Sequence, residues 1–247
     1  MTPDHRRVVV VTGAASPLGA VLARGLASRG ATVAIVGDGR AAESARGEIE
    51  GEGGSAVAVA TDYADRRAIA DVFGRVVDGL GPLDALVHAE IPPDALQPRP
   101  LVELHEKQWA EIWERGFLTT VRCCQVAHDH MRGRGGRIVL VTPTLALTGA
   151  ARFAPYAALA EAQRALAKSA ARQWGADGIT VNCLAPGPGA LLGDAMAFDE
   201  TILAPPALPD ASSEADLGPV LGFLAGGDSH ALTGATLCVD GGVWMAP

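Results

Sequence analysis

Short β-branched runs recur along this chain, separated by segments of helical periodicity, and this alternation limits the fold more than any other feature. Residues 7–12 read RVVVVT, which suits a buried strand and is too short and too β-branched for a helix. Leu18, Val21, Leu22, Gly25 and Leu26 follow at helical spacing. Further runs at 32–36 (TVAIV), 55–61 (SAVAVAT), 83–88 (LDALVH), 137–142 (RIVLVT), 179–184 (ITVNCL) and 235–239 (ATLCV) predict six more strands. Ile69, Val72, Phe73, Val76, Val77 and Leu80 make one clean apolar helix face, with Asp65 as its cap and Gly79 and Gly81 as its stop. Long helical stretches, about 103–131 and 154–175, separate strands four, five and six. Repeated βα units of this kind predict an α/β domain, a parallel sheet of about seven strands with helices on both faces. Ligands of such sheets bind at the carboxyl ends of the strands. Residues 189–216, rich in Gly, Pro, Ala and Leu, form the one long irregular stretch and read as a lid over that edge.

Composition narrows the function classes. A chain of 247 residues, 49% hydrophobic, supports one domain with a large core, and no linker divides it. The net charge of −8 leaves no basic stripe for a phosphate backbone, so nucleic acid is not an expected partner. Gly, Arg and Asp interrupt every apolar run, so no membrane span is expected. The polar start lacks the apolar core of a secretory signal. Cys123, Cys124, Cys183 and Cys238 lack metal-ligand spacing and lie in apolar segments. Reduced thiols in the cytoplasm, and no metal, are the expectation.

Several motifs follow one another in a telling order. Thr12-Gly13 opens a glycine-rich turn after the first strand. Asp62 follows the third strand and Pro186-Gly187 the sixth. The segments 178–187 (GITVNCLAPG) and 232–242 (LTGATLCVDGG) are highly characteristic. Together they resemble the short-chain dehydrogenase/reductase family over nearly the whole chain. The resemblance implies a Rossmann-like doubly wound fold, a nicotinamide cofactor, and a catalytic set of Asn, Ser, Tyr and Lys. It also implies that Asp62 contacts the adenine, that Pro186-Gly187 runs beside the nicotinamide, and that members assemble as dimers and tetramers.

Set against that family pattern, the sequence departs at the positions that carry chemistry. The first turn reads Thr12-Gly13-Ala14-Ala15-Ser16-Pro17-Leu18-Gly19, with Pro17 where the family has its middle glycine. Proline has no N–H to offer a pyrophosphate, although it suits the first turn of a helix. Gly13, Ser16, Leu18 and Gly19 are the remaining candidates for cofactor contact. Asp38, after the second strand, would accept from a ribose diol and repel a 2′-phosphate, favouring NAD over NADP, while Arg40 argues the other way. The family's Asn-Asn-Ala-Gly after the fourth strand is replaced by His88-Ala89-Glu90-Ile91. His88 and Glu90 fall on one face and are open to two readings, as an acid–base pair or as structural groups.

The catalytic positions follow by counting. The family lysine lies four residues after the tyrosine, and Tyr156 is followed there by Ala160. The family serine lies thirteen residues before it, at Pro143, flanked by Thr142 and Thr144, either of which could replace its hydroxyl. Alignment on Trp109 puts Gly116 at the asparagine. Arg164, about two helical turns or roughly 12 Å from Tyr156, and Lys168, a turn further along, read as lying too far away to replace the lysine. A phenol titrating near pH 10 needs such a cation to act at neutral pH.

The sequence therefore predicts a subunit inactive by itself, the structural or regulatory partner of a catalytically complete relative in a hetero-oligomer, with NAD binding weakened or lost. Two alternatives stay open: an atypical NAD(P)(H)-dependent oxidoreductase using Tyr156 with Thr142 or Thr144, and a nucleotide or metabolite sensor without turnover. Leu159, Ala162, Leu166 and Ala170 share a helix face suited to assembly as a homo- or hetero-oligomer, and Trp244 and Met245 are a second apolar patch. Leu191, Leu192, Met196, Phe198, Ile202 and Leu203 would suit a small apolar substrate or an interface.

Overall fold

A computed structural model describes residues 6–14, 16–63, 65–192, 205–208 and 213–245. Seven parallel strands form one sheet in the order β3-β2-β1-β4-β5-β6-β7. They are β1 (Val8–Thr12), β2 (Thr32–Gly37), β3 (Ser55–Ala60), β4 (Leu83–His88), β5 (Gly136–Val141), β6 (Ile179–Pro186) and β7 (Thr236–Val239). All seven expected strands are present, each within a residue or two of the expected bounds.

Alternate residues of the central strands enter different layers. Val9, Val11, Val33, Ile35 and Val139 meet α1 (Pro17–Ala27), α2 (Gly39–Gly51) and a late helix. Val8, Val10, Leu86, Ile138 and Val181 meet α3 (Arg66–Leu80) and two long helices on the opposite face. Every residue of β1 and β6 is buried, as expected of strands covered on both sides. Asp65 caps α3 through the Arg67 N–H at 2.8 Å. Gly81 closes the helix at φ 103°, a backbone angle that favours glycine.

The expected helix over 103–131 is interrupted. A short 3₁₀ turn, Leu101–Glu103, precedes α4 (Glu106–Trp113), a π-turn (Glu114–Leu118) and α5 (Thr119–Met131). The π-turn inserts one residue into the helical ladder and brings Gly116 against α6 (Ala154–Trp174). A Cβ on Gly116 would lie 2.7 Å from Leu159 Cδ2 and 3.3 Å from Pro92 Cγ.

Part of the expected irregular stretch 189–216 is helical. Gly189–Leu192 forms the short α7, and α8 runs over Glu214–Leu224. Ser213 donates its N–H and hydroxyl to Asp216 at 3.0 and 2.6 Å, so the second helix starts inside the expected loop. Met196, Phe198, Ile202 and Leu203 lie outside the described residues. Among the described residues, no helix is long and apolar enough to cross a membrane, and no group of three or more His, Cys, Asp or Glu is placed to hold a metal.

Candidate active site and cofactor cleft

The strand order reverses between β1 and β4, and the loops leaving these two strands meet at the carboxyl edge of the sheet. Gly13 has φ 74°, and a Cβ there would lie 2.5 Å from the Ala89 carbonyl carbon and the Glu90 nitrogen. Only glycine fits. The first turn is closed by its own groups. Ser16 donates its N–H and its hydroxyl to the Gly13 carbonyl at 3.0 and 2.8 Å. The Ser16 hydroxyl oxygen accepts from the Gly19 N–H at 3.1 Å, and Pro17 opens α1 at its first position. Leu18 is buried in the core beneath.

Tyr63, which sequence reasoning missed, completes this closure. Its hydroxyl donates to the Val36 carbonyl at 2.5 Å and accepts from the Gly13 N–H at 3.3 Å. Burial raises its phenol well above the ordinary value, with the nearby Glu90 adding to the rise. The only sequence signal is an aromatic residue directly after Asp62 at a strand end.

A cavity of about 430 Å³ adjoins Tyr63, lined also by Asp38, Asp62, Glu90, Glu114 and Arg115. Asp38 Oδ1 accepts from the Arg40 and Ala41 N–H groups at 3.1 and 3.2 Å, capping α2 while it lines the cavity. Burial raises the Glu90 carboxyl above its usual range, opposed by Arg115.

Tyr156 and its neighbours lie away from that cavity, in a small apolar core of their own. Ala95, Ile112, Leu145, Ala146, Ala150, Phe153 and Ala160 pack with Tyr156. Tyr156 is 1% exposed, and its hydroxyl donates to the Pro143 carbonyl at 3.1 Å. Burial raises its phenol well above the ordinary value, with Arg164 opposing and Glu161 adding. The Thr144 hydroxyl donates to the Pro186 carbonyl at 3.3 Å, and the Thr142 hydroxyl is buried beside the Cys183 thiol.

Arg164 corrects the sequence reading. Two turns from Tyr156 along α6, it reads as out of reach, yet its side chain is buried and its charge acts on Tyr156. Helical side chains lean toward the N-terminus, so separation along the axis overstates the distance. Its Nη1 donates to the Thr142 carbonyl at 2.9 Å, and its Nε and Nη2 donate to Glu161 at 3.1 and 2.6 Å. The guanidinium fastens α6 to the end of β5.

His88 takes the structural role among the two readings left open. Its Nδ1 lies 2.8 Å from Thr12 Oγ1, and its Nε2 lies 3.0 Å from Thr120 Oγ1. Thr120 donates its single proton to the Gly116 carbonyl at 3.0 Å and accepts from Gln163 Nε2 at 2.7 Å. The His88 Nε2 must therefore carry the ring proton, and its Nδ1 accepts from Thr12. Burial lowers the imidazole to about 4, so the ring is neutral at pH 7.

Residues 13–244 match the family model described as enoyl-(acyl carrier protein) reductase. The chain belongs to the short-chain dehydrogenase/reductase family. It is 34% identical over 244 residues to cis-4-hydroxycyclohexanecarboxylate dehydrogenase of Sinomonas cyclohexanicum, with 96% of each chain covered. Its fold superposes with a TM-score of 0.82 on a blue fluorescent protein from a metagenomic library in complex with NADPH, at 31% identity over 96% of this chain and 97% of that one. A double mutant of a Serratia marcescens short-chain dehydrogenase/reductase gives a TM-score of 0.82, at 28% identity over 96% and 97%. In this short-chain dehydrogenase/reductase the first turn, the 88–91 loop and Pro186-Gly187 lie at or just beyond the carboxyl ends of β1, β4 and β6. Glu90 lines the cleft beside Tyr63, whereas Tyr156 lies in the separate apolar core with Ala160.

Proposed function

We propose that this chain performs no dehydrogenase chemistry by itself and serves as the structural or regulatory subunit of a catalytically complete, NAD-dependent relative. One observation carries the reading: the Tyr156 hydroxyl is buried and bonded to the Pro143 carbonyl, inside an apolar core that includes Ala160. Family resemblance puts a serine at 143 and a lysine at 160. The backbone carbonyl takes the proton of the phenol, and a methyl group stands in place of the ammonium. Arg164 supplies a positive charge, but its donors are committed to Thr142 and Glu161. Thr144 donates to Pro186 and so has no proton free for a substrate carbonyl. At the asparagine position, Gly116 fills its space by contact with Leu159 and Pro92.

A second reading, an atypical NAD(P)(H)-dependent oxidoreductase, rests on the relatives. The cis-4-hydroxycyclohexanecarboxylate dehydrogenase covers 96% of the chain, and the blue fluorescent protein holds NADPH on the same fold. Expression of the chain alone separates the two. No oxidation of NADH or NADPH with a panel of ketones, together with co-elution of a complete family member from the native host, supports a subunit. Turnover by the purified homo-oligomer at rates ordinary for the family removes that reading.

A further inference from the structure

We infer that a cavity at the amino ends of β1, β4, β5 and β6 binds a small multivalent anion, one carrying a phosphate or several carboxylates. The cavity lies at the opposite edge of the sheet from the cleft beside Tyr63, and the inference goes beyond the proposed function.

The space is about 600 Å³, enclosed by the segments that enter these strands and by the turn after α8, and it lies within the range of small-molecule sites. Part of its wall is bare backbone for a steric reason. Gly135 and Gly178 have φ 79° and 74°, and a Cβ on Gly135 would lie 3.0 Å from the Gly178 carbonyl oxygen. Where the turns entering β5 and β6 touch, glycine is therefore required.

Three guanidinium groups line this space, from Arg7, Arg134 and Arg137. Arg137 donates from Nε to the Gly226 carbonyl at 2.9 Å and from Nη1 to the Gly136 carbonyl at 2.8 Å. Arg7 Nη1 would lie 2.5 Å from a Cβ on Gly226, so two of the cations close on the same glycine. Among the described residues, none of the three has a carboxylate within ion-pair distance. That gathering is unexpected in a chain with 28 acidic residues and only 20 lysines and arginines. The two carboxylates of the lining are turned to other partners. Asp84 Oδ2 accepts from the Val8 N–H at 2.8 Å, and Asp177 Oδ2 lies 3.1 Å from His128 Nε2. Partial burial also disfavours the charged form of Arg137. An anion between the guanidiniums offsets both that cost and their mutual repulsion. The flat guanidinium fork matches the paired oxygens of a carboxylate or a phosphate.

Calorimetric titration of the full chain with inorganic phosphate and with citrate, at ionic strength held constant with sodium chloride, tests this. Saturable binding of at least one of them is expected, and which one binds separates a phosphate ligand from a polycarboxylate. Arg7→Ala and Arg134→Ala, both at exposed positions and each checked for native circular dichroism, are expected to weaken it by about tenfold. Arg46→Ala, on α2, is expected to leave it unchanged, and so is an excess of NADH, because the two clefts lie at opposite edges of the sheet. No saturable binding of either anion overturns the inference. Equal affinity in the Arg7 and Arg134 variants does so too, and competition by NADH would move the anion to the other cleft. Each of these results leaves the proposed subunit role standing, whereas turnover by the chain alone removes that role and leaves this site untouched.

Discussion

The Tyr156 hydroxyl donates to the carbonyl oxygen of Pro143 at 3.1 Å across a buried gap between α6 and the end of β5. The bond gives the Tyr156 hydroxyl a structural partner. Replacing Tyr156 with Phe strands the Pro143 carbonyl and is expected to destabilise the fold by about 1–2 kcal/mol. Activity of any native assembly should not change. Chemical denaturation and an assay of the purified assembly measure the two effects, and a loss of turnover in the assembly would give Tyr156 a catalytic role.

Ala160→Lys places a lysine where the family resemblance implies one, in a buried apolar setting. The site is fully buried among Ile112, Leu145 and Phe153, so an ammonium there has little water. A loss of roughly 3 kcal/mol is expected from the uncompensated charge, with no gain of dehydrogenase activity. The urea midpoint and an NADH-coupled assay report both quantities. Dehydrogenase activity in this variant would show that the missing cation was the only defect.

Gly116→Asn places at 116 the residue that the family resemblance implies there, in a space already filled. Its Cβ would lie 2.7 Å from Leu159 Cδ2, and overpacking of this kind costs about 1–3 kcal/mol. Leu159→Ala in the same chain should recover part of that loss, because the two residues share one contact. A double-mutant cycle in urea gives the coupling. Strict additivity would show that the glycine is not required for packing.

His88 makes stability depend on pH. Its folded value of about 4 lies below the ordinary 6.5, so on acidification the unfolded chain takes up a proton before the folded one does. The stability associated with the neutral ring is complete above pH 6.5. It is lost as pH falls from 6.5 toward 4, at about 1.4 kcal/mol per pH unit. His88→Asn should flatten the stability profile in that window relative to the unmodified chain. Parallel profiles would mean that the ring is hydrated or charged in the folded state.

The sheet was legible in the sequence because each strand is a short apolar run between turn residues, most plainly the fully buried β1 and β6. Pro17 could be read as a helix opener because proline's constraint is local. The π-turn at 114–118 could not be read, since one extra residue in a helical ladder reflects how Gly116 meets Leu159 rather than any local preference. Tyr63 and Arg164 were missed for a related reason. Each acts through a side chain that crosses to another segment, Tyr63 to Val36 and Gly13, Arg164 to Thr142. Spacing along one element carries no trace of such a reach.

In the array formed by Thr12, His88, Thr120 and Gln163, every proton has one direction, fixed by the lone hydrogen of Thr120. No member can be exchanged without stranding a neighbour. Among descendants of this chain, these four positions should therefore drift as a block, either all retained or all rewritten together, while the exposed helix faces around them diverge one residue at a time.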